Sequence, residues 1–306
     1  MKKLVFLTLS LVLCLGTFPL AEEPNVKDTV TVKLEKVLYP VVRVLNGQGG
    51  GSGTVVYSED REGTGEYSSF VITNNHVIDN LVKVVKVWDN LSQSYRYEEQ
   101  NDLADVELFS YSNGGALVTK TNVKADVIAY VADEDIALLR LRHTFKIDFV
   151  AKILPPGKSL RLFQEVYAVG CPLLIDPMFT KGEVTDIECL LENKAYTGST
   201  ANIIWGNSGG AVMSVFDDGE WYFCGVPSRG TVAPNNQFLT YLGYSITPDR
   251  IWKFINSQKL TFLIDPTKTP TQCLEERSKT QKGSEEGPES EPTPPPSPVG
   301  DQGTRL

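Results

Sequence analysis

The sequence predicts an all-β protein made of two consecutive sets of strands and closed by one helix. Three observations carry this. Short runs rich in Val, Ile, Tyr and Thr recur between residues 41 and 246. Clusters of Gly, Asn, Asp and Ser separate them. Clear helical spacing of apolar residues appears only at the two ends of that region.

Val30, Leu34, Val37 and Leu38 recur at helical spacing until Pro40 stops the pattern. The first strand set reads Val41–Leu45, Gly53–Tyr57, Ser69–Asn74, Val82–Val87, Ala125–Val131 and Ile136–Leu141. Ile147 to Lys158, containing Pro155-Pro156-Gly157, is the connection to the second set. That set reads Glu165–Val169, Phe179–Ile187, Gly210–Val215, Trp221–Val226 and Leu239–Ile246, with a polar loop from Ser228 to Asn236. Thr247 is placed to cap the last helix, Pro248 suits its first position, and Ile251, Phe254 and Ile255 form its inner face. After Cys273 the composition changes, and residues 288–298 hold six prolines among Glu, Ser and Thr. Such a segment buries little apolar area, so residues 263–306 are expected to form a disordered tail.

The N-terminus reads as a secretory signal. Lys2 and Lys3 precede an almost wholly apolar run, and Ala21 offers a cleavage site before Glu22-Glu23-Pro24. Residues 1–21 are thus expected to direct export to the periplasm or the medium. An uncleaved membrane anchor is the rival reading, opposed by a run of 17 residues broken by Gly16 and Pro19. Formal charge is −9, or −11 once residues 1–21 are removed, and Lys and Arg form no cluster. Nucleic-acid binding is therefore not expected. Four cysteines follow the signal: Cys171, Cys189, Cys224 and Cys273. In an exported chain they allow one or two disulfides, while Cys171 and Cys224 also read as small buried hydrophobes. No His/Cys cluster has metal-ligand spacing, so neither metal nor cofactor is expected.

Chemistry concentrates in three segments. Gly206-Asn207-Ser208-Gly209-Gly210 holds a serine among glycines, suited to a nucleophile in a tight backbone turn. Ile72-Thr73-Asn74-Asn75-His76 ends an apolar run in a histidine. Asp133-Glu134-Asp135 opens the run Ile136-Ala137-Leu138-Leu139. A serine hydroxyl needs a neighbouring base and an orienting acid, and the order His, Asp, Ser is that of chymotrypsin. The only other histidine, His143, lies among cations at a strand exit and reads as a surface or turn residue. Asp133 and Glu134 read as solvated.

These segments, with Gly51-Ser52-Gly53-Thr54, Val169-Gly170-Cys171-Pro172 and Gly243-Tyr244-Ser245-Ile246, resemble trypsin-like serine endopeptidases and, among them, the HtrA (Deg) type, over roughly residues 29–258. The resemblance implies a double β-barrel of the chymotrypsin type with a C-terminal helix. The barrels would cover about 38–146 and 158–250 of a protease domain at 22–262. It implies a triad of His76, Asp135 and Ser208, and an oxyanion hole from the backbone N–H groups of Gly206 and Ser208. It also puts Asn202 at the floor of the substrate pocket, six residues before the serine, and Ser228-Arg229-Gly230 on the strand that pairs with substrate. Asn202 carries no charge, so cleavage is expected after small or medium uncharged residues. Arg229 either favours acidic or polar substrate residues or extends into solvent. Trp205 stands where the HtrA type usually has proline, and the segment after the helix is too short for a PDZ domain.

The function expected is an exported serine endopeptidase acting on protein or peptide substrates through an acyl-enzyme. The alternative is a catalytically silent binding protein on the same fold.

Overall fold

Strand runs separated by tight turns close on themselves, and the computed structural model, which describes residues 29–61, 63–90, 93–232 and 238–284, forms two barrels. The expected signal at residues 1–21 lies outside the described residues, as does the proline-rich stretch from 285 onward. Helix α1 (Thr29–Lys33) runs into a π-helical turn (Leu34–Leu38) that buries Val37 and Leu38. Pro40 cannot extend the helix, and β1 starts at the next residue.

The first closed barrel holds β1 (Val41–Leu45), β2 (Gly50–Asp60), β3 (Tyr67–Thr73), β6 (Ala104–Tyr111), β7 (Leu117–Val131) and β8 (Ile136–Leu141). They pair antiparallel in the order β1-β2-β3-β8-β7-β6. Helix α2 (Asn75–Ile78) follows β3, and a separate hairpin of β4 (Val82–Asp89) and β5 (Ser94–Asn101) leaves and rejoins the barrel there. Asp102 N–H closes this excursion on Leu81 O at 2.8 Å. The run Val82–Val87, expected in the first strand set, forms this outlying hairpin because none of its residues is buried.

The second closed barrel holds β9 (Glu165–Gly170), β10 (Met178–Leu191), β11 (Lys194–Ser199), β12 (Ala211–Val215), β13 (Trp221–Val232) and β14 (Phe238–Ile246), ordered β10-β11-β14-β13-β12-β9. Ser228–Gly230, expected in a loop, lie within β13, where Gly230 pairs with Gly243. Helix α3 (Pro248–Ser257) begins as expected, with Thr247 Oγ1 accepting from Arg250 N–H.

Each barrel has its own core, Val44, Val71 and Leu139 in the first and Val166, Val212 and Tyr222 in the second. A third cluster joins them, in which Phe70, Ile72, Met213 and Phe223 meet Ile251, Phe254 and Phe262. Burial of each such side chain stabilises the junction by about 1.5–3 kcal/mol. The chain does not become a tail at 263. Helix α4 (Pro270–Ser284) packs back on this cluster with Cys273 buried and Leu274 half-buried, so the ordered part extends beyond the expected boundary.

Candidate active site

The inter-barrel junction gathers the three chemical segments. β3 ends at Thr73, and the buried Asn74 turns the chain into α2 with extended dihedrals (φ −79°, ψ 152°). Asn74 Nδ2 donates to Asp135 O at 2.8 Å, which ties the β7–β8 turn to the start of α2. Asp135 has φ 55°, a left-handed conformation that Asp tolerates better than most residues. This aims its carboxylate at α2, where Oδ1 accepts the His76 backbone N–H at 3.0 Å. His76 Nδ1 lies 2.9 Å from Oδ1 and 3.0 Å from Oδ2. An Nδ1 facing a carboxylate carries the proton, leaving the lone pair on Nε2. Ser228 Oγ donates to Asp135 Oδ2 at 2.7 Å. Burial pushes the Asp135 carboxyl up, but the His76 ring, the His76 N–H and the Ser228 hydroxyl outweigh it and hold it below its usual range.

Ser208 reaches the junction on the loop between β11 and β12. Ser52 of β2 fastens that loop to the first barrel: its N–H donates to Ser208 O at 2.7 Å and its hydroxyl to Gly206 O at 2.6 Å. The same hydroxyl accepts from Cys171 N–H at 2.7 Å. Two glycines allow the approach. A Cβ on Gly209 would stand 2.2 Å from Ser52 O, and one on Gly51 2.7 Å from Ser208 O. Within the loop the N–H groups of Asn207, Gly209 and Gly210 are bonded to carbonyls. Those of Gly206 and Ser208 have no acceptor among the described residues. Two backbone donors of the Ser208 loop thus lack acceptors among the described residues, as a site that holds an oxyanion requires. Ser208 Oγ makes no hydrogen bond to His76 in the structure; such pairs are often long until substrate binds.

The turn beside this loop is strained. Leu173 N–H donates to Trp205 O at 2.7 Å, and Leu173 and Leu174 adopt φ 52° and φ 57°. Two leucines in the left-handed region cost about 1–2 kcal/mol each. Gly206 has φ 92°, and a Cβ there would lie 2.3 Å from Cys171 O.

The expected substrate residues divide. Ser228 serves Asp135, while Gly230 pairs with Gly243 on β14. Arg229 donates to Tyr196 Oη at 3.1 Å and Glu192 Oε2 at 2.8 Å, so its charge is engaged within the protein rather than extended alone. Asn202, expected as the pocket floor, is exposed, with its carbonyl accepting from Thr180 Oγ1 at 2.9 Å. The neighbouring Ile203 is 2% exposed, and its Cδ1 comes within 2.7 Å of where a Cβ on Gly243 would stand. The buried side chain here is therefore apolar, not the Asn202 amide. Trp205 stands 72% exposed next to Gly206.

Two further expectations, on Glu134 and His143, are corrected, and the alternatives left open for the cysteines are decided. Glu134 is buried, not solvated: its Oε2 accepts from Arg250 Nε at 2.7 Å and its Oε1 from Lys253. Asp133 does face water, paired with Lys194. Cys171, Cys189, Cys224 and Cys273 are all free thiols, three of them buried, so no disulfide forms among them. His143 is half-buried and stacked on Phe145 with centroids 4.0 Å apart, and neither ring nitrogen finds a partner among the described residues. Ser52 and Asn74 carry positioning roles that sequence reading missed. Their only signal was their place beside the Gly51 and His76 segments.

Residues 51–225 match the family model of the trypsin-like peptidase domain. Among solved structures the chain is similar to the crystal structure of the MamO protease domain from Magnetospirillum magneticum in its apo form. Identity is 19% and the TM-score 0.49, over 71% of this chain and 96% of that chain. No curated protein matches.

Proposed function

The chain belongs to the trypsin-like peptidase family, and from that premise we propose that it is an exported serine endopeptidase of the HtrA type. The observation that supports the reading most is the Ser208 loop, in which the N–H groups of Gly206 and Ser208 have no acceptor among the described residues, together with the His76–Asp135 pair.

Ser208 Oγ attacks the substrate carbonyl while His76 Nε2 takes its proton. The carbonyl oxygen becomes an oxyanion bound by the N–H groups of Gly206 and Ser208, each donor contributing about 2.7–4 kcal/mol. Asp135 stabilises the imidazolium and keeps its orientation. His76 then gives the proton to the leaving amine, and water hydrolyses the acyl-enzyme by the reverse sequence. The uncharged Asn202 and the apolar Ile203 beside it offer no partner to a substrate cation, which supports cleavage after small or medium uncharged residues.

The test is hydrolysis of casein and a peptide library. The native chain should cleave, and Ser208→Ala should not. Cleavage retained by Ser208→Ala would overturn the assignment, and dominant cleavage after Lys or Arg would overturn the pocket reading. A second reading, a silent binding protein, rests on the unmade bond between Ser208 and His76, and a native chain that cleaves nothing would favour it.

A further inference from the structure

The Trp205–Gly206 peptide can present its N–H toward Ser208 only if its carbonyl points the other way, because a trans peptide holds the two on opposite sides. That carbonyl is held by Leu173 N–H at 2.7 Å. Leu173 sits in the turn Pro172–Leu174, where two successive leucines occupy the left-handed region. Nothing in the local sequence favours such a turn, since glycine is the residue that adopts it freely. Two local bonds close the turn, Leu174 N–H to Cys171 O and Ile175 N–H to Pro172 O, both 3.0 Å, and a further contact holds it from outside.

Arg43 does so from the opposite barrel. It lies on β1 with its side chain 11% exposed, and its Nη1 donates to Leu174 O at 2.7 Å. Its Nη2 pairs with Glu107 of β6, and Nη1 lies 3.7 Å from Asp176, which also pairs with Lys120. The guanidinium lies 5.6 Å from the Phe109 ring centroid. A planar fork can serve a carbonyl and a carboxylate together, which an ammonium cannot do with the same geometry.

We infer that Arg43 is a positioning residue for the oxyanion donor: it fixes the Leu173–Leu174 turn, the turn fixes Trp205 O, and the Gly206 N–H is thereby left facing the reacting carbonyl. The inference rests on the proteolytic reading above for its effect on rate, but not for its effect on the turn.

The experiment compares the native chain with R43M/E107Q, in which no buried charge is stranded, and with R43K. Two quantities are read: amide hydrogen exchange at Leu173 by NMR, and kcat with KM on a cleaved peptide. In R43M/E107Q, Leu173 exchange should rise by about tenfold or more while β1 stays protected. Loss of kcat should fall between about tenfold and the 10²–10³ range of one lost oxyanion donor, with KM nearly unchanged. R43K should give a smaller change in both. Native exchange at Leu173 together with native kcat overturns the inference, and so does a rise in KM with kcat intact. If R43M/E107Q loses β1 protection as a whole, R43K decides: local loss at Leu173 supports the inference and unchanged exchange overturns it. A native chain with no turnover contradicts the proteolytic reading alone, and the exchange contrast at Leu173 still decides the role of Arg43.

Discussion

The Ser228 hydroxyl donates to Asp135 Oδ2 at 2.7 Å, joining a strand of the second barrel to the carboxylate that faces His76 from the first. The acid is therefore held from both sides of the cleft, and the relative position of the two barrels enters its charge state directly.

Ser228→Ala should lower kcat/KM by about 10- to 100-fold, the equivalent of one hydrogen bond to a charged group. It should also change the pH dependence of stability. The folded Asp135 carboxyl lies below its usual 3.8, so its contribution is present above that value and lost as pH falls through the lower folded one. Removing one of its donors reduces that contribution. Urea unfolding should show a gap between native and variant chains at pH 7 that narrows in strong acid. A gap independent of pH would contradict the assignment.

Glu134, Arg250 and Lys253 clamp α3 against the turn that carries Asp135. Burial pushes the Glu134 carboxyl up, and Lys253 and Arg250 more than reverse this. Arg250→Met leaves the buried Glu134 carboxylate with Lys253 as its one charged partner and should cost up to about 3–5 kcal/mol in urea unfolding. Glu134→Met/Arg250→Met should recover much of that loss. Equal losses in single and double variants would refute a buried pair.

Strands with dense apolar runs, such as Val41–Leu45 and Ile136–Leu141, were readable because the barrel buries most of their residues. β5 (SYRYEEQN) and β11 (KAYTGS) were not, since one is exposed along most of its length and the other is short and mixed. Helix α4 escaped notice because Cys273 and Leu274 are its chief inward side chains in a polar segment. His76, Asp135 and Ser208 stood out through local spacing. The burial of Glu134 depends on Arg250, far along the chain, and no local pattern reveals it. The same holds for Ser52 and Arg43, whose partners lie in the other barrel.

His143 offers a second pH signal. Burial holds its imidazole below 6.5 in the folded chain. The unfolded chain therefore takes up the proton first, and stability falls as pH drops through about 6.5 toward the lower folded value. His143→Phe removes this loss while keeping a ring against Phe145. Its melting temperature relative to the native chain should rise between pH 8 and pH 5.5. A constant difference would show that His143 is not buried as a neutral group.

With four free thiols, reductant should leave the melting temperature unchanged. The Cys171 thiol, pushed up by burial to about 12, should resist iodoacetamide until the chain unfolds. A fall in melting temperature with reductant would reveal a disulfide.

Ser208 is proposed as a nucleophile activated by His76 and Asp135. Reaction with a fluorophosphonate probe, read by mass spectrometry of the modified peptide, tests it most directly. One adduct is expected, on Ser208 of the native chain, with labelling lost in Ser208→Ala and strongly slowed in His76→Ala. An unlabelled native chain, or an adduct elsewhere that persists in Ser208→Ala, would contradict it.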